Sequence, residues 1–390
     1  MNEIHINSKI QAETCVIIPT YNNQKTLQRV IDGVLNYTQN IIIVNDGSTD
    51  ETFSILKKYT QLTQIHFPEN KGKGVALREG FKKVKQLNYN FAITIDSDGQ
   101  HFPHDIPLFW KALEEENRDV LLIGSRNMNQ DGVPKKSSFG NKFSNFWFWF
   151  ETGIKLDDTQ SGYRLYPLNS IPKKFFTRKF EFEIEVIVRT AWNGIPVKNI
   201  PINILYDPNE RVSHFRPFRD FSRISVLNTV LVIITLFYIK PRDFFQKLVK
   251  KKFKDFIRED VLASSDSNIK KATSIALGVF IGIAPFWGFQ TILSISLAVL
   301  FRLNKALSFA FSNISFPPMI PFIIFGSLEI GSFFVGNTKP LQFDHSITLD
   351  VVKSNLTQYL VGSFVLATVT AIVFGLGSYL LLSLTKKSTN

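Results

Sequence analysis

Residues 91–101, Phe91-Ala92-Ile93-Thr94-Ile95-Asp96-Ser97-Asp98-Gly99-Gln100-His101, decide how this chain is read. A short apolar, β-branched run stops at two acids set two apart, a spacing that sends both carboxylates to one side wherever the backbone stays extended. Two carboxylates on one side suit a hard divalent cation, Mg2+ or Mn2+, which completes its shell with water and phosphate oxygens. Alone, an Asp-x-Asp is mostly a solvated acidic loop. Its upstream neighbours give this one its meaning.

Two further apolar runs, residues 15–19 and 41–45, end in Thr20-Tyr21-Asn22-Asn23 and in Asp46-Gly47-Ser48. Residues 26–35 place Leu27, Val30, Ile31 and Val34 on one helical face, and residues 49–59 begin with an acid-rich first turn. Such alternation predicts βαβ units and an open α/β sheet with parallel strands. Ligands of these sheets bind beyond the carboxyl ends of the strands, so three polar loops converge on one site. Asn70-Lys71-Gly72-Lys73-Gly74 runs straight into a predicted helix over 75–85, where backbone N–H groups and two ammoniums face an anion. By itself that stretch is a flexible basic turn. Between the second and third strand ends it is what a nucleotide's phosphates need.

The composition changes along the 390 residues, so more than one domain is expected. Residues 272–301, 306–328 and 354–385 contain no Asp, Glu, Lys or Arg and read as membrane segments. The net charge is +12 and basic residues cluster just before them, which favours anionic lipid over nucleic acid as partner. Lys247, Lys250, Lys251, Lys252 and Lys254 alternate with Phe244, Phe245, Leu248, Val249, Phe253, Phe256 and Ile257 in a basic amphipathic pattern. The single Cys15 rules out an intrachain disulfide and a cysteine-based zinc site, and its place in an apolar run predicts core packing. The N-terminal residues lack the form of a secretory signal, so the first domain is expected in the cytosol.

The uncharged residues 224–239 fall short of the roughly 20 a spanning helix needs and are not counted as a crossing. Pro285-Phe286-Trp287-Gly288 interrupts 272–301, which predicts one bent helix or a re-entrant hairpin. Lys270, Lys271, Arg302 and Lys305 on both flanks favour the hairpin. Residues 306–335 would then cross outward, 336–353 lie outside, and 354–385 return.

Taken together, Ile17-Ile18-Pro19-Thr20-Tyr21-Asn22, Val44-Asn45-Asp46-Gly47-Ser48-Thr49-Asp50, the 70–74 loop and Asp96-Ser97-Asp98-Gly99-Gln100-His101 resemble a family 2 glycosyltransferase of GT-A fold. Gln100-His101 after the acids resembles the dolichyl-phosphate and polyprenyl-phosphate sugar synthases. The resemblance runs on through Gly124-Ser125-Arg126, Gly140-Asn141-Lys142 and Asp158-Thr159-Gln160-Ser161-Gly162-Tyr163-Arg164, over roughly residues 14–220. It implies a Rossmann-like α/β nucleotide-diphospho-sugar transferase domain over 1–222, juxtamembrane amphipathic helices over 223–262 and a helical transmembrane domain over 263–390. The spacing Gly278-x-Phe280-x-Gly282-x-x-Pro285-x-x-Gly288-x-Gln290 resembles a membrane module of unknown function often fused behind such transferases.

The resemblance further implies an inverting transfer of sugar from a UDP- or GDP-linked donor to a polyprenyl phosphate. The enzyme would be multi-pass in the cytoplasmic membrane, with its catalytic domain on the cytosolic side. Pro19, Tyr21 and Asp46 would hold the nucleoside, Lys73 would lie near its phosphates, and Asp96, Asp98 and Gln100 would ligate Mg2+ or Mn2+. Arg126 and Lys142 match basic positions that bind the acceptor's phosphate, which an arginine fork grips bidentately. His214 and Arg216 would contact phosphate near the membrane. Asp98, Arg126 and Asp158 form the implied catalytic set.

An acceptor phosphate, with its second pKa near ~6, is ionised at neutral pH and needs no general base. Asp158 is therefore assigned to positioning first, with Asp157 as an alternative should the acceptor be a hydroxyl of another membrane lipid or cell-envelope glycan. A rival from another class is a glycolipid transporter or scaffold with a nucleotide-binding domain. The chain has no Gln-x-x-Arg-Trp motif, which disfavours a processive polysaccharide synthase. His101 and His104, with Asp105, lack a third soft ligand for zinc and read as capping and packing. The aromatic stripe over 143–150 fits a lipid groove and a helix core equally well.

Overall fold

β1 (Thr14–Thr20) is buried at every position, as befits a strand covered on both faces. In this computed structural model residues 8–127, 135–205, 216–250, 265–316, 319–335 and 355–387 are described. The chain divides into two compact units, Met1–Val232 and Ile233–Asn390.

In the first unit a short α1 (Ser8–Ala12) precedes β1, followed by α2 (Leu27–Leu35), β2 (Ile41–Asn45), α3 (Thr52–Leu56), β3 (Thr63–His66), α4 (Lys73–Gln86) and β4 (Phe91–Thr94). Then come α5 (Ile106–Glu116), β5 (Leu121–Arg126), α6 (Lys135–Thr152), β6 (Arg164–Pro167), α7 (Phe182–Trp192) and β7 (Val197–Ile202). They form one mixed sheet of order β3-β2-β1-β4-β6-β5-β7. β1 pairs in parallel with β2 and β4, so the three strands expected from the sequence are neighbours and their ends lie side by side. β6 runs antiparallel between β4 and β5, and β7 returns to parallel beside β5.

Alternation along β1 feeds two cores. Val16 and Ile18 pack with Leu27, Ile31 and Trp110, while Ile17 packs with Leu77, Phe81 and Phe182 on the other face. Cys15 is buried with the second group. The helix expected over 49–59 contracts to α3, because beyond Leu56 the chain tightens into turns, Lys58 N–H to Ile55 O and Tyr59 N–H to Leu56 O. Within the aromatic stripe of α6, Phe148 is core while Phe146 is exposed.

α8 (Pro217–Ile234) runs through a π-helical turn (Thr235–Ile239) into α9 (Lys240–Lys250). The stretch Arg219–Gln246, 28 residues, is long and apolar enough to cross a membrane, which corrects the sequence reading of 224–239. The uncharged window undercounts because charged residues near both ends, Asp220, Arg223, Lys240 and Arg242 among them, interrupt the window without ending the helix. In the second unit α10 (Asn268–Ile283) and α11 (Gln290–Leu300) are separate helices, broken where Pro285 and Gly288, at φ 80°, interrupt the run. α12 (Lys305–Ser312) and α13 (Ile320–Val335) are turned by 81° at their break, so residues 306–335 are not one straight crossing. α14 (Leu356–Lys387) is apolar enough to span over Leu356–Leu384. A side chain at Gly278 would meet Ser308 O at 2.6 Å, so a glycine there lets α10 lie directly on α12. The basic run 251–254, the loop 336–353 and the side chains of 247–250 lie outside the described residues.

Candidate active site

The loops after β1, β2 and β4 are tied to one another by their own polar side chains. Asn22, in the left-handed region at φ 51°, donates its N–H to Ser48 Oγ at 3.0 Å and accepts from Thr49 N–H at 2.8 Å. Asn23 donates to Ser97 Oγ at 2.8 Å, and the Thr26 hydroxyl donates to Ser97 O at 2.6 Å. These bonds explain why polar residues sit buried at the strand ends.

Asp46, 4% exposed, accepts from the N–H groups of Lys71 at 2.7 Å and Gly72 at 2.9 Å. Burial pushes its carboxyl up, against the pull of those two amides. Asp46 thereby fixes the basic loop beside the carboxyl end of β2. Pro19 is buried in β1, and Tyr21 is half-buried just beyond it.

At the head of α4, Lys73 Nζ lies 2.8 Å from Asp96 Oδ1, 3.0 Å from Asp96 Oδ2 and 3.1 Å from Glu183 Oε2. Burial alone would lower the ammonium's pKa, but the Asp96 and Glu183 carboxylates outweigh it and hold it above its ordinary value. Burial likewise opposes ionisation of Asp96, yet Lys73 holds that carboxyl below its ordinary value. Asp98, half-buried, accepts the Gln100 N–H at 3.1 Å, and Gln100 O accepts from Leu205 N–H at 2.9 Å.

His101 packs its ring 5.4 Å from that of Tyr163, with Nε2 3.4 Å from Ser161 Oγ. Burial lowers its pKa to about 4, so the imidazole is neutral at pH 7. His104 stacks on Phe102 at 5.0 Å, with Nε2 3.6 Å from Asp105. Among the described residues no three His, Cys, Asp or Glu side chains are grouped as metal ligands. Asp96, Asp98 and Gln100 instead bring two carboxylates and a side-chain carbonyl to one strand end, an oxygen donor set that fits Mg2+ or Mn2+.

The second half of the site is built on Asp158, which is fully buried. Arg126 grips it with Nε at 2.6 Å and Nη2 at 3.0 Å, and the Arg126 N–H adds a bond at 3.2 Å. The Gln160 and Ser161 N–H groups donate to Oδ1 at 2.9 and 3.2 Å. Burial would raise this carboxyl, but Arg126 and the amides hold it below its ordinary value. Asp158 is thus ionised and surrounded by donors. Asp157 is exposed, and Asn199 fixes both acids by accepting the Asp157 N–H at 2.7 Å and the Asp158 N–H at 3.2 Å. Lys142 is exposed on α6. Arg216 is exposed just ahead of α8, its N–H on Asp220 at 2.7 Å, and His214 lies outside the described residues.

Three residues without a role assigned from sequence hold the halves together. Arg164, fully buried, donates to Ser161 O at 2.6 Å, Thr159 O at 2.9 Å and Glu183 O at 2.7 Å, joining the 158–162 loop to α7. Glu183 reaches Lys73, and Asn199 braces the two acids. The alternating Phe180-Glu181-Phe182-Glu183-Ile184-Glu185 run signals an unusual element, but only its helical winding turns Glu183 inward.

Gly162 marks the closest approach. A Cβ there would stand 2.4 Å from Asp96 Oδ2 and 2.8 Å from Lys73 Nζ. Gly162→Ala is expected to displace that pair and to destabilise the first unit, a loss that chemical denaturation reads and that unchanged stability would refute.

Residues 15–175 match glycosyl transferase family 2, and residues 251–389 match an uncharacterized protein family conserved in bacteria, DUF2062. The chain is similar to the UDP-N-acetylglucosamine–dolichyl-phosphate N-acetylglucosaminyltransferase of Methanococcus voltae, 28% identical over 49% of this chain and 85% of that protein. An uncharacterized protein of Methanocaldococcus jannaschii is 30% identical over 52% of this chain and 85% of its own length. Among solved structures, glucosyl-3-phosphoglycerate synthase of Mycobacterium tuberculosis, in complex with Mn2+, UDP-glucose and phosphoglyceric acid, superposes with a TM-score of 0.44 at 17% identity. It covers 60% of this chain and 85% of that one. With its motifs gathered at the strand ends of a mixed α/β sheet, the chain belongs to glycosyl transferase family 2 through its first unit and is a glycosyltransferase with a DUF2062 region behind it.

Proposed function

We propose that the enzyme transfers a sugar from a UDP-linked donor to a polyprenyl phosphate at the cytoplasmic leaflet, by a single in-line displacement with inversion. The observation that carries this reading is the state of Asp158. A carboxylate enclosed by Arg126 and three backbone N–H groups, with its pKa held low, is a poor general base, so the acceptor has to arrive already ionised. A phosphate monoester does so at neutral pH. The relative that names UDP-N-acetylglucosamine and dolichyl phosphate supports the same pairing.

In this reading Pro19 and Tyr21 flank the nucleoside, Asp46 holds the basic loop against it, and Lys73 faces the diphosphate. Asp96, Asp98 and Gln100 would hold Mg2+ or Mn2+, which when bound neutralises charge on the departing diphosphate. Arg126, with Lys142, His214 and Arg216, receives the acceptor's phosphate. One of its oxygens bonds to the sugar's anomeric carbon as the bond to the diphosphate breaks, and nucleoside diphosphate leaves. The two long apolar helices would keep the domain at the membrane where the lipid resides, and the exposed Phe139 and Phe146 suit contact with acyl chains.

Membranes bearing the full chain, incubated with radiolabelled UDP-sugars and polyprenyl phosphate, are expected to yield a charged, acid-labile glycolipid. A neutral glycolipid as the product would sink the phosphate acceptor and reinstate a hydroxyl.

A further inference from the structure

We propose that Lys73 is a built-in counter-ion that occupies Asp96 while the site is empty of nucleotide. It yields Asp96 to the divalent cation only when the donor's diphosphate arrives, and Glu183 keeps hold of it through the exchange. The inference rests on the metal and donor assignments proposed above and adds the order in which they engage.

Three observations carry it. First, Lys73 Nζ bridges both oxygens of Asp96, at 2.8 and 3.0 Å, the position a chelated cation would take. A Mg2+ or Mn2+ held even by the outer lone pair, about 2.1 Å from oxygen, would stand within about 5 Å of the ammonium, where like charges repel strongly in a half-buried site. Cation and ammonium therefore compete for one carboxylate. Second, the contact is built in: Gly162 leaves no room for a side chain beside it, with a hypothetical Cβ only 2.4 Å from Asp96 and 2.8 Å from Lys73. Third, Glu183 has spare capacity. Its Oε2 accepts from Lys73 at 3.1 Å, while its buried Oε1 has no hydrogen-bond partner among the described residues. Its backbone is pinned by the buried Arg164, which donates to Glu183 O at 2.7 Å. A buried carboxylate oxygen without a partner is costly, and a lysine released from Asp96 would satisfy it.

The arriving diphosphate supplies Lys73 with a new anion and supplies the cation with further oxygen ligands. Each ligand thus lowers the cost of the other, and the coupling is reciprocal. Glu183 is a positioning residue, acting through Lys73.

The test is Mn2+ binding by the full chain in detergent micelles, read from the electron paramagnetic resonance of free Mn2+ with and without UDP. Wild type is expected to bind Mn2+ weakly alone and at least about tenfold more tightly with UDP, within the usual range of coupling between two sites. Lys73→Met is expected to bind Mn2+ alone about tenfold more tightly than wild type, with little further gain from UDP. Lys73→Arg, which keeps the cation, retains the weak wild-type binding. Glu183→Gln moves the other way, weakening Mn2+ binding in the absence of UDP, because Lys73 then has no carboxylate to fall back on.

A purely structural role would not give opposite signs for the two neutralising changes. If wild type gains Mn2+ with UDP but Lys73→Met binds the ion no more tightly than wild type, the counter-ion proposal fails alone. If wild type binds no Mn2+ even with UDP, the metal reading fails and this proposal with it. Should Lys73→Met not fold, Glu183→Gln decides: weaker Mn2+ binding supports the proposal, and unchanged or tighter binding overturns it.

Discussion

Asp98→Asn is expected to reduce sugar transfer about a thousandfold. The substitution is nearly isosteric, and an amide oxygen can still accept the Gln100 N–H that Asp98 now accepts at 3.1 Å, so the loop keeps its shape. What disappears is one negative charge from the oxygen set that would hold the divalent ion. Losing about 4 kcal/mol of charge stabilisation at the departing diphosphate corresponds to about three powers of ten in rate. Asp96→Asn is the less clean experiment, since it also strips Lys73 of the carboxylate bonded through both oxygens. Turnover of labelled UDP-sugar by the Asp98→Asn protein checks the claim, and activity equal to wild type would refute Asp98 as a metal ligand.

The part of the site on β1, β2 and β4 was legible because those strands are covered on both faces, and unbroken apolar runs that end in polar residues betray them. Parallel pairing then placed their loops together with no further information. β6 escaped the same reading. It is a four-residue strand, Arg164-Leu165-Tyr166-Pro167, that opens on a charged residue and closes on a proline, both of which argue against a central strand. Arg164 is nonetheless fully buried, because three backbone carbonyls within reach satisfy its guanidinium.

The motifs gave the residue types of the site and not their partners. Lys73 and Asp96 are 23 residues apart, and Arg126 and Asp158 are 32 apart, so only the folded sheet brings them together. Sequence set Lys73 near the donor's phosphates and Arg126 near the acceptor's. The structure shows each in an ion pair, Lys73 with Asp96 and Glu183 and Arg126 with Asp158. The membrane-length helix over Arg219–Gln246 was hidden for a different reason: charged residues at its ends shortened the uncharged window without shortening the helix.

Arg126→Met is expected to cost the first unit about 3–5 kcal/mol of stability near pH 7, the usual loss when one partner of a buried ion pair is removed. Asp158 would be left as a buried carboxylate supported by backbone amides and the nearby Arg164 charge, without its paired guanidinium. The pH dependence identifies the cause. In wild type the folded pKa of Asp158 lies below its ordinary value of 3.8. The unfolded chain therefore binds the proton more readily, and this group's stabilisation is present above pH about 4 and is lost as pH falls through the lower folded value. Without Arg126, the leading influence that holds it down is lost, desolvation is opposed only by the amides and the Arg164 charge, and the folded pKa rises. The sign then reverses: the variant gains stability relative to wild type as pH falls, because protonation removes the unpaired charge.

Chemical denaturation between pH 3 and pH 7 should thus show the stability difference narrowing steadily toward acid, and a difference independent of pH would mean that lost packing, not the ion pair, accounts for the damage. Asp158→Asn completes the argument, since it removes the charge while Arg126 stays. If Asp158 only positions the loop, the acidic limb of the pH–rate profile for transfer stays where it is in wild type and the rate falls across all pH values alike. A base at this position would instead make that limb vanish with the carboxylate, and the acceptor would have to be a hydroxyl after all.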